Sequence, residues 1–582
     1  MFKNIRFKLV NSPEWTIVIG VFFAFCLANI SYTGPTVLND EIGYLANAAL
    51  IAGYEIDGAS KYHAGYSVLL APLFRIFSEP LNIWRAAMVF NASIWALSFL
   101  LLSRILKTIL PEYDKKQIFF ALLISALYPA WITMSGYVFS TTAFVFVYLL
   151  SVLTFLHWKP GKIWTIVPHA VAVGYLFWIH PIGLAVCVAS FITVSCVSLR
   201  EKKYAPILVN FAVLMLFVLF YLQFVEGWLE ILATPEKNIP PHKDYPEPKK
   251  IVSGLFAFDY WLEAATKAAG QISYLIISSF GFILFGFIAS IKKSVQLKND
   301  SKNNTLILNS AYLYLALSLM GAIAMGVMFF SLGNSTRIDQ WIYGRYAEMV
   351  VLPLLALGYL SFRNKKVLLI AAALAIVTGL LLNNIVDLEI VNMPINTPAF
   401  WSQNVVLVDN YFYWMLAGSV VMILIVFIME HGNWAKKLGL AIIAIVFLFT
   451  IVNQFLIHQV RLTLYGNPFE LSEVIRHNYP PGTYIGFDTK ELDHVREDTK
   501  RHKYHLHLFH LYDYKYRRMS PDEWLDNCDG PYLTFDSDLM KEHEGIKLSE
   551  PGKLHPSVYM LIKKDDSNIS IPKSASSVEF ID

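Results

Sequence analysis

The sequence predicts a polytopic α-helical membrane protein of about thirteen spans, followed by a smaller polar α/β part. Three observations predict it. The chain is 56% hydrophobic and only 16% charged, with mean hydropathy +0.48, whereas a soluble domain carries about a quarter charged residues. Apolar runs of roughly 20 residues, the length needed to span a bilayer, recur along the first three quarters of the chain. Basic loops follow every second run, as the positive-inside rule requires.

The runs lie near 14–33, 82–104, 117–135, 138–157, 163–180, 182–199, 205–225, 271–291, 305–331, 346–362, 367–385, 411–429 and 438–457. The first is read as a span, not a cleaved leader, because no small-residue cleavage site follows it closely. The stretch 163–199 is split at His180-Pro181, since proline disfavours helix in the residue before it. Lys3, Arg6 and Lys8 place the N-terminus inside. The short inner loops then carry Arg104 and Lys107, Lys159 and Lys162, Arg200 and Lys202, Lys292 and Lys293, Lys365 and Lys366, and Lys436 and Lys437.

The other face holds 34–81, 226–270, 332–345, 386–410 and the tail. These segments are long, and segments of that length are more than connectors. Residues 1–457 form the expected membrane domain and 458–582 an extracytoplasmic mixed α/β domain. In the tail, Leu471–His477 reads as helix, and Tyr484–Phe487, Tyr504–Tyr512, Tyr532–Phe535 and Val558–Ile562 read as strands. Cys528 is the tail's one cysteine, so no disulfide forms within it. With 47 basic and 44 acidic residues, net +3, the charge is too balanced for a nucleic-acid partner. No Gly-x-x-x-x-Gly-Lys-Ser/Thr loop occurs, which argues against an ATPase.

The outer loop 34–81 is the densest in chemistry. Asn39-Asp40-Glu41 opens a stretch with helical apolar spacing from Ile42, read as a short interfacial helix. An acidic pair is favoured at that end by the helix dipole, so a cap is the plainer reading. Lys61-Tyr62-His63-Ala64-Gly65-Tyr66 follows, with Pro72 six residues on. Farther along, Gly344-Arg345-Tyr346 opens a run containing Pro353. Arg345 lies on the outer side, where the charge bias does not ask for it. It reads equally as a snorkelling residue or an anion contact. Arg85, near the outer end of the second run, invites a functional reading as an arginine close to the membrane. His180 reads first as a group satisfying a helix end. In the tail, His505 and His507 would share a strand face, and a polar face is preferred there to a zinc site.

These motifs resemble the GT-C superfamily of membrane glycosyltransferases, in particular lipid A aminoarabinose transferases and protein O-mannosyltransferases. The acidic residue after the first span, the Tyr-x-x-Gly-Tyr-x-x-x-x-x-Pro run, the Gly344-Arg345-Tyr346 pattern and the overall layout carry the resemblance. It implies a GT-C-like fold and a transferase that moves a sugar from a polyprenyl-phosphate carrier, with inversion, to a lipid A, surface-glycan or protein acceptor. It implies that Asp40 is the catalytic carboxylate, with Glu41 sharing the role. Arg345, Arg337, Lys61 and Arg85 would hold the donor phosphate, and Tyr44, His63, Tyr66, Tyr343 and His180 would line the sugar pocket. No metal site is assigned. Asn39-Asp40-Glu41 departs from the Asp-x-Asp pattern of some relatives, although Asp40 and Glu41 could hold Mg²⁺, Mn²⁺ or Ca²⁺. Two other readings stand beside this one. An O-antigen-type polymerase or ligase would need essential basic residues in 226–270, at Lys237, Lys243, Lys249 and Lys250. A transporter would show internal repeats, and none is evident.

Overall fold

The computed structural model describes residues 13–29, 34, 38–55, 63–225, 227–228, 256–299, 303–332, 338–362, 365–385, 397–404, 411–430, 433–465, 470–488, 509–534, 536, 538–539, 546–550, 558–563, 569–573, 575 and 578–581. Helices dominate: α1 (Pro13–Asn29), α2 (Leu38–Ala52), α3 (Gly65–Ile76), α4 (Pro80–Ile109), α5 (Lys115–Ala126), α6 (Pro129–Ser135), α7 (Ser140–Leu156), α8 (Val167–Ile179), α9 (Gly183–Arg200) and α10 (Ala205–Phe220). Then come α11 (Phe258–Ser278), α12 (Phe282–Val295), α13 (Asn303–Leu332), α14 (Arg345–Ser361), α15 (Lys365–Ile385), α16 (Tyr411–Glu430) and α17 (Asn433–Tyr465).

Among the described residues, five helices are long and apolar enough to cross a membrane, or seven if each bent pair is one span. Of the other expected spans, α1, α7, α8 and α14 are helices of 13 to 17 residues. The split at His180 holds: α8 ends at Ile179, His180 is extended (φ −160°, ψ 144°), and α9 restarts at Gly183. Two expected runs are broken. The run 117–135 bends by 54° between α5 and α6, where Pro129 starts the second piece. The run 271–291 bends by 107° between α11 and α12. Phe280 (φ 50°) and Gly281 (φ 80°) both take left-handed backbone there and end the first helix. Hydropathy is blind to such a break, because the residues on either side are equally apolar.

The helices pack closely. The backbones of α12 and α14 touch: a Cβ on Gly286 would lie 1.9 Å from Leu354 O, and one on Gly358 would lie 1.7 Å from Phe282 O. Small residues at such crossings let membrane helices approach. Helix α2, in the loop 34–81, differs from the interfacial helix expected. Every residue from Glu41 to Leu50 is buried, because its polar side chains find partners inside the protein.

The C-terminal region contains α18 (Glu470–Asn478), α19 (Pro521–Asn527) and a six-stranded sheet. Its strands are β1 (Tyr484–Phe487), β2 (Lys515–Arg518), β3 (Tyr532–Thr534), β4 (Ile546–Glu550), β5 (Val558–Ile562) and β6 (Glu579–Ile581), in the order β2-β1-β3-β5-β4-β6. β1 runs parallel to both β2 and β3, and the remaining pairs are antiparallel. Ile485, Phe487, Leu533, Leu548, Met560 and Ile562 are buried on it. Ser520 and Glu523 form a reciprocal capping box that starts α19. The strand expected over Tyr504–Tyr512 is corrected. Phe509 and His510 are helical and Leu511–Asp513 form a turn; residues 501–508, with His505 and His507, lie outside the described residues. The strand is instead the polar Lys515–Arg518, at the sheet's edge, where charged side chains are tolerated.

This region packs against the loop 34–81. The Tyr512 ring meets Tyr54 at 4.8 Å and Phe74 at 5.1 Å, and its hydroxyl donates to Ser78 O at 2.8 Å. Arg476 holds Asp513 beside it through Nη1 at 2.9 Å.

Candidate active site

Several of the expected residues converge on one short segment, Tyr137–Ser140, between α6 and α7. From α2, the Glu41 carboxylate accepts the Val138 N–H at 2.7 Å, and the Tyr44 hydroxyl donates to Ser140 Oγ at 2.7 Å. From α3, Ser67 Oγ donates to Tyr44 O at 2.8 Å, and the Tyr44 and Tyr66 rings meet edge to face at 5.5 Å. The Tyr66 hydroxyl donates to Asn91 Oδ1 at 2.7 Å, and Asn91 Nδ2 donates to Tyr137 O at 3.0 Å. Each buried polar group here has a partner, which fixes the geometry. Glu41 is fully buried, so one of its oxygens is committed to holding backbone. Asp40 lies in the first turn of α2, but its side chain is outside the described residues.

Arg345 reaches the same segment from the start of α14. Its guanidinium lies over the Phe139 ring at 4.1 Å, a cation–π contact, and the residue is 5% exposed. Its neighbours are aromatic: Tyr343 meets Tyr346 at 4.7 Å and Phe330 at 4.6 Å, and the His180 ring lies 5.0 Å from Tyr346. His180 also caps the turn behind it, since its Nδ1 accepts the Ile182 N–H at 3.2 Å.

His63 occupies the neighbouring corner. It stacks on Tyr221 at 4.6 Å, and its Nδ1 hydrogen-bonds Phe177 O. Burial pushes this imidazole down to about 4, against a smaller opposing effect of the Phe177 carbonyl. The glycine of the motif is explained here. A Cβ on Gly65 would lie 2.6 Å from the Trp178 carbonyl carbon, so α3 can start against α8 only without a side chain.

Arg85 does not join the group. It is exposed on α4, while its neighbour Trp84 is buried. Lys61 and Arg337 lie outside the described residues, as do Lys237, Lys243, Lys249 and Lys250. No group of three or more metal-ligating side chains comes together among the described residues.

Sequence reasoning missed three residues beneath Arg345. Glu348, one turn on in α14, is 1% exposed, and its Oε1 accepts from the hydroxyls of Tyr274 and Tyr128. The Tyr274 hydroxyl in turn accepts the Ala399 N–H at 3.0 Å. A carboxylate within an apolar run was the available signal, because such groups are costly in a membrane and seldom idle.

The arrangement offers a fixed cation beside a rigid, aromatic-lined segment. Such a cation suits a phosphate on a lipid. No family model matches the sequence, and no curated protein does either. Solved structures do match. ArnT from Cupriavidus metallidurans bound to undecaprenyl phosphate superposes with TM-score 0.50 at 12% identity, over 96% of this chain and 98% of that one. The chain has the ArnT fold. The apo form of ArnT superposes equally, with TM-score 0.50. The archaeal oligosaccharyltransferase AglB from Archaeoglobus fulgidus, in complex with an inhibitory peptide and a dolichol-phosphate, is more distant. Its TM-score is 0.36 at 11% identity, over 97% of this chain and 75% of that one. The ArnT likeness runs nearly end to end in both chains, so it is a likeness of the whole fold. A mostly helical, apolar, membrane-embedded protein follows from that fold and the apolar helices together.

Proposed function

We propose that this chain is an inverting glycosyltransferase that takes a sugar from a polyprenyl-phosphate carrier and delivers it to an acceptor outside the cytoplasm. The observation that carries the reading is the meeting of Arg345 with the Glu41- and Tyr44-held segment at Phe139. This meeting lies in a chain with the fold of a protein solved with undecaprenyl phosphate. In this reading thirteen helices span the membrane, the N-terminus is inside, and residues 458–582 form a domain on the outer face over the loop 34–81.

The acceptor hydroxyl attacks the anomeric carbon. A new carbon–oxygen bond forms there as the bond to the carrier phosphate breaks, and the phosphate oxygen keeps the electron pair. The transition state is oxocarbenium-like, as in other glycosyl chemistry. Asp40 takes the proton that the acceptor hydroxyl loses, and α2 holds it in place through Glu41. The leaving group is already a phosphate, so it needs a cation more than an acid. Arg345 supplies that charge, with Lys61 and Arg337 as further contacts. Tyr44, Tyr66, His63, His180 and Tyr343 shape the sugar pocket. Lipid A, a surface glycan and a protein all present hydroxyl groups as acceptors.

The test supplies purified protein with radiolabelled polyprenyl-phosphate sugars and crude envelope acceptors. The wild type transfers one sugar, and Asp40→Asn lowers the rate by about 10²-fold or more. Equal transfer by both would reduce Asp40 to a helix cap. No transfer from any donor would overturn the reading.

A further inference from the structure

We propose that Tyr274 is the seat of Arg345. Its ring sets the height of the Gly344–Arg345 turn, and its hydroxyl ties that turn to the segment 397–401. This proposal rests on Arg345 being the phosphate contact.

Three contacts converge on Tyr274, which is fully buried in α11. The first is steric. A Cβ on Gly344 would lie 1.8 Å from Tyr274 Cε1, so the ring is pressed against the backbone immediately before Arg345. The second is a pair of hydrogen bonds that share Glu348. The Glu348 N–H donates to Gly344 O at 3.0 Å, while the Glu348 carboxylate accepts the Tyr274 hydroxyl. The first turn of α14 is thus tied to Tyr274 by backbone and side chain together. The third contact leads outward. The same hydroxyl accepts the Ala399 N–H at 3.0 Å, and Trp401 Nε1 donates to Ile277 O at 3.0 Å, one turn along α11. The segment 397–401 is therefore pinned twice to the helix on which Arg345 rests.

The mechanical consequence is specific. Arg345 starts its helix, and a helix start is the part most easily displaced. Here it cannot sink, because the Tyr274 ring fills the space beneath Gly344. It cannot rise without breaking the Tyr274–Glu348 bond. A phenol suits this role, since its ring is rigid and its hydroxyl donates and accepts at once. A guanidinium aimed at phosphate needs such support, because an error near 1 Å costs about 10²-fold in reaction rate.

The experiment measures binding of two lipids, undecaprenyl phosphate and undecaprenol, to the purified full chain. The second lacks only the phosphate. Arg345→Gln is expected to weaken the phosphorylated lipid at least tenfold and leave undecaprenol unchanged. Tyr274→Phe, which keeps the ring, and Gly344→Ala, which crowds it, should each weaken the phosphorylated lipid roughly tenfold with the same selectivity. Adding Tyr274→Leu to Gly344→Ala makes room for the new methyl group. The double variant should then lose less affinity for undecaprenyl phosphate than the Tyr274→Leu and Gly344→Ala losses combined, a coupling that separate damage does not produce. The seat is overturned if Tyr274→Phe binds both lipids like the wild type. It is also overturned if the Tyr274 and Gly344 variants weaken both lipids together, which marks general loss of structure. If Arg345→Gln itself binds undecaprenyl phosphate normally, the phosphate reading fails, and the seat fails with it.

Discussion

The two halves of the candidate site are held by different means. The α2–α3 half is a hydrogen-bonded lattice: Glu41, Tyr44, Tyr66 and Asn91 each end on the segment Tyr137–Ser140 or on one another. The Arg345 half is held largely by shape, with Gly344 lying against the Tyr274 ring and aromatic rings packed around Tyr346. A lattice needs particular polar residues at particular spacings, and these stand out in a sequence. A packed seat also turns on a tyrosine from a distant helix, and that residue does not stand out.

Substitutions can break this contrast. The largest effect is expected from Gly65→Ala, where the lattice half also depends on close approach. The added methyl group would lie 2.6 Å from the Trp178 carbonyl carbon, and main chain cannot yield as a side chain does. Overpacking of this kind costs about 1–3 kcal/mol and at times more. Folded yield by gel filtration and transfer activity should both collapse. Glu41→Ala comes next. It leaves the buried Val138 N–H without its acceptor, at a cost of about 1–3 kcal/mol. Glu41→Gln keeps an acceptor oxygen and should recover most of that loss in a thermal melt. If the glutamine variant were as damaged as the alanine one, the negative charge of Glu41, and not its hydrogen bond, would matter.

A smaller effect sharpens the comparison through pH. His63 is held down to about 4, mainly by burial. A depressed imidazole contributes stability that is complete above its ordinary value near 6.5 and is lost as pH falls toward 4. Melting temperature should therefore drop as pH goes from about 6.5 to 4, and His63→Gln should flatten that slope. An unchanged slope would mean that other groups carry the acid sensitivity. The smallest effect is that of Tyr512→Phe. It removes one hydrogen bond to Ser78 O, worth about 1 kcal/mol, and should make the C-terminal region easier to clip by protease while the helices stay intact.

What could be read from the sequence follows the same division. His180-Pro181 is a chemical stop signal, and the break between α8 and α9 lies there. The turn at Phe280-Gly281 carries no comparable signal, because a left-handed phenylalanine inside an apolar run is set by its surroundings. Arg345 was visible as a charge out of place. Tyr274 was not, since a tyrosine near the end of an apolar run is ordinary. The edge strand Lys515–Arg518 escaped notice because its residues are chosen for solvent and not for a core.

The contact between Tyr512 and Ser78 joins positions 434 residues apart. A ribosome makes Ser78 long before Tyr512. Most of the helices can therefore enter the bilayer while the loop 34–81 still lacks its cover. The later-made region completes the earlier loop, so a chain cut short before Tyr512 would be inserted yet left open at the surface where its chemistry is proposed to occur.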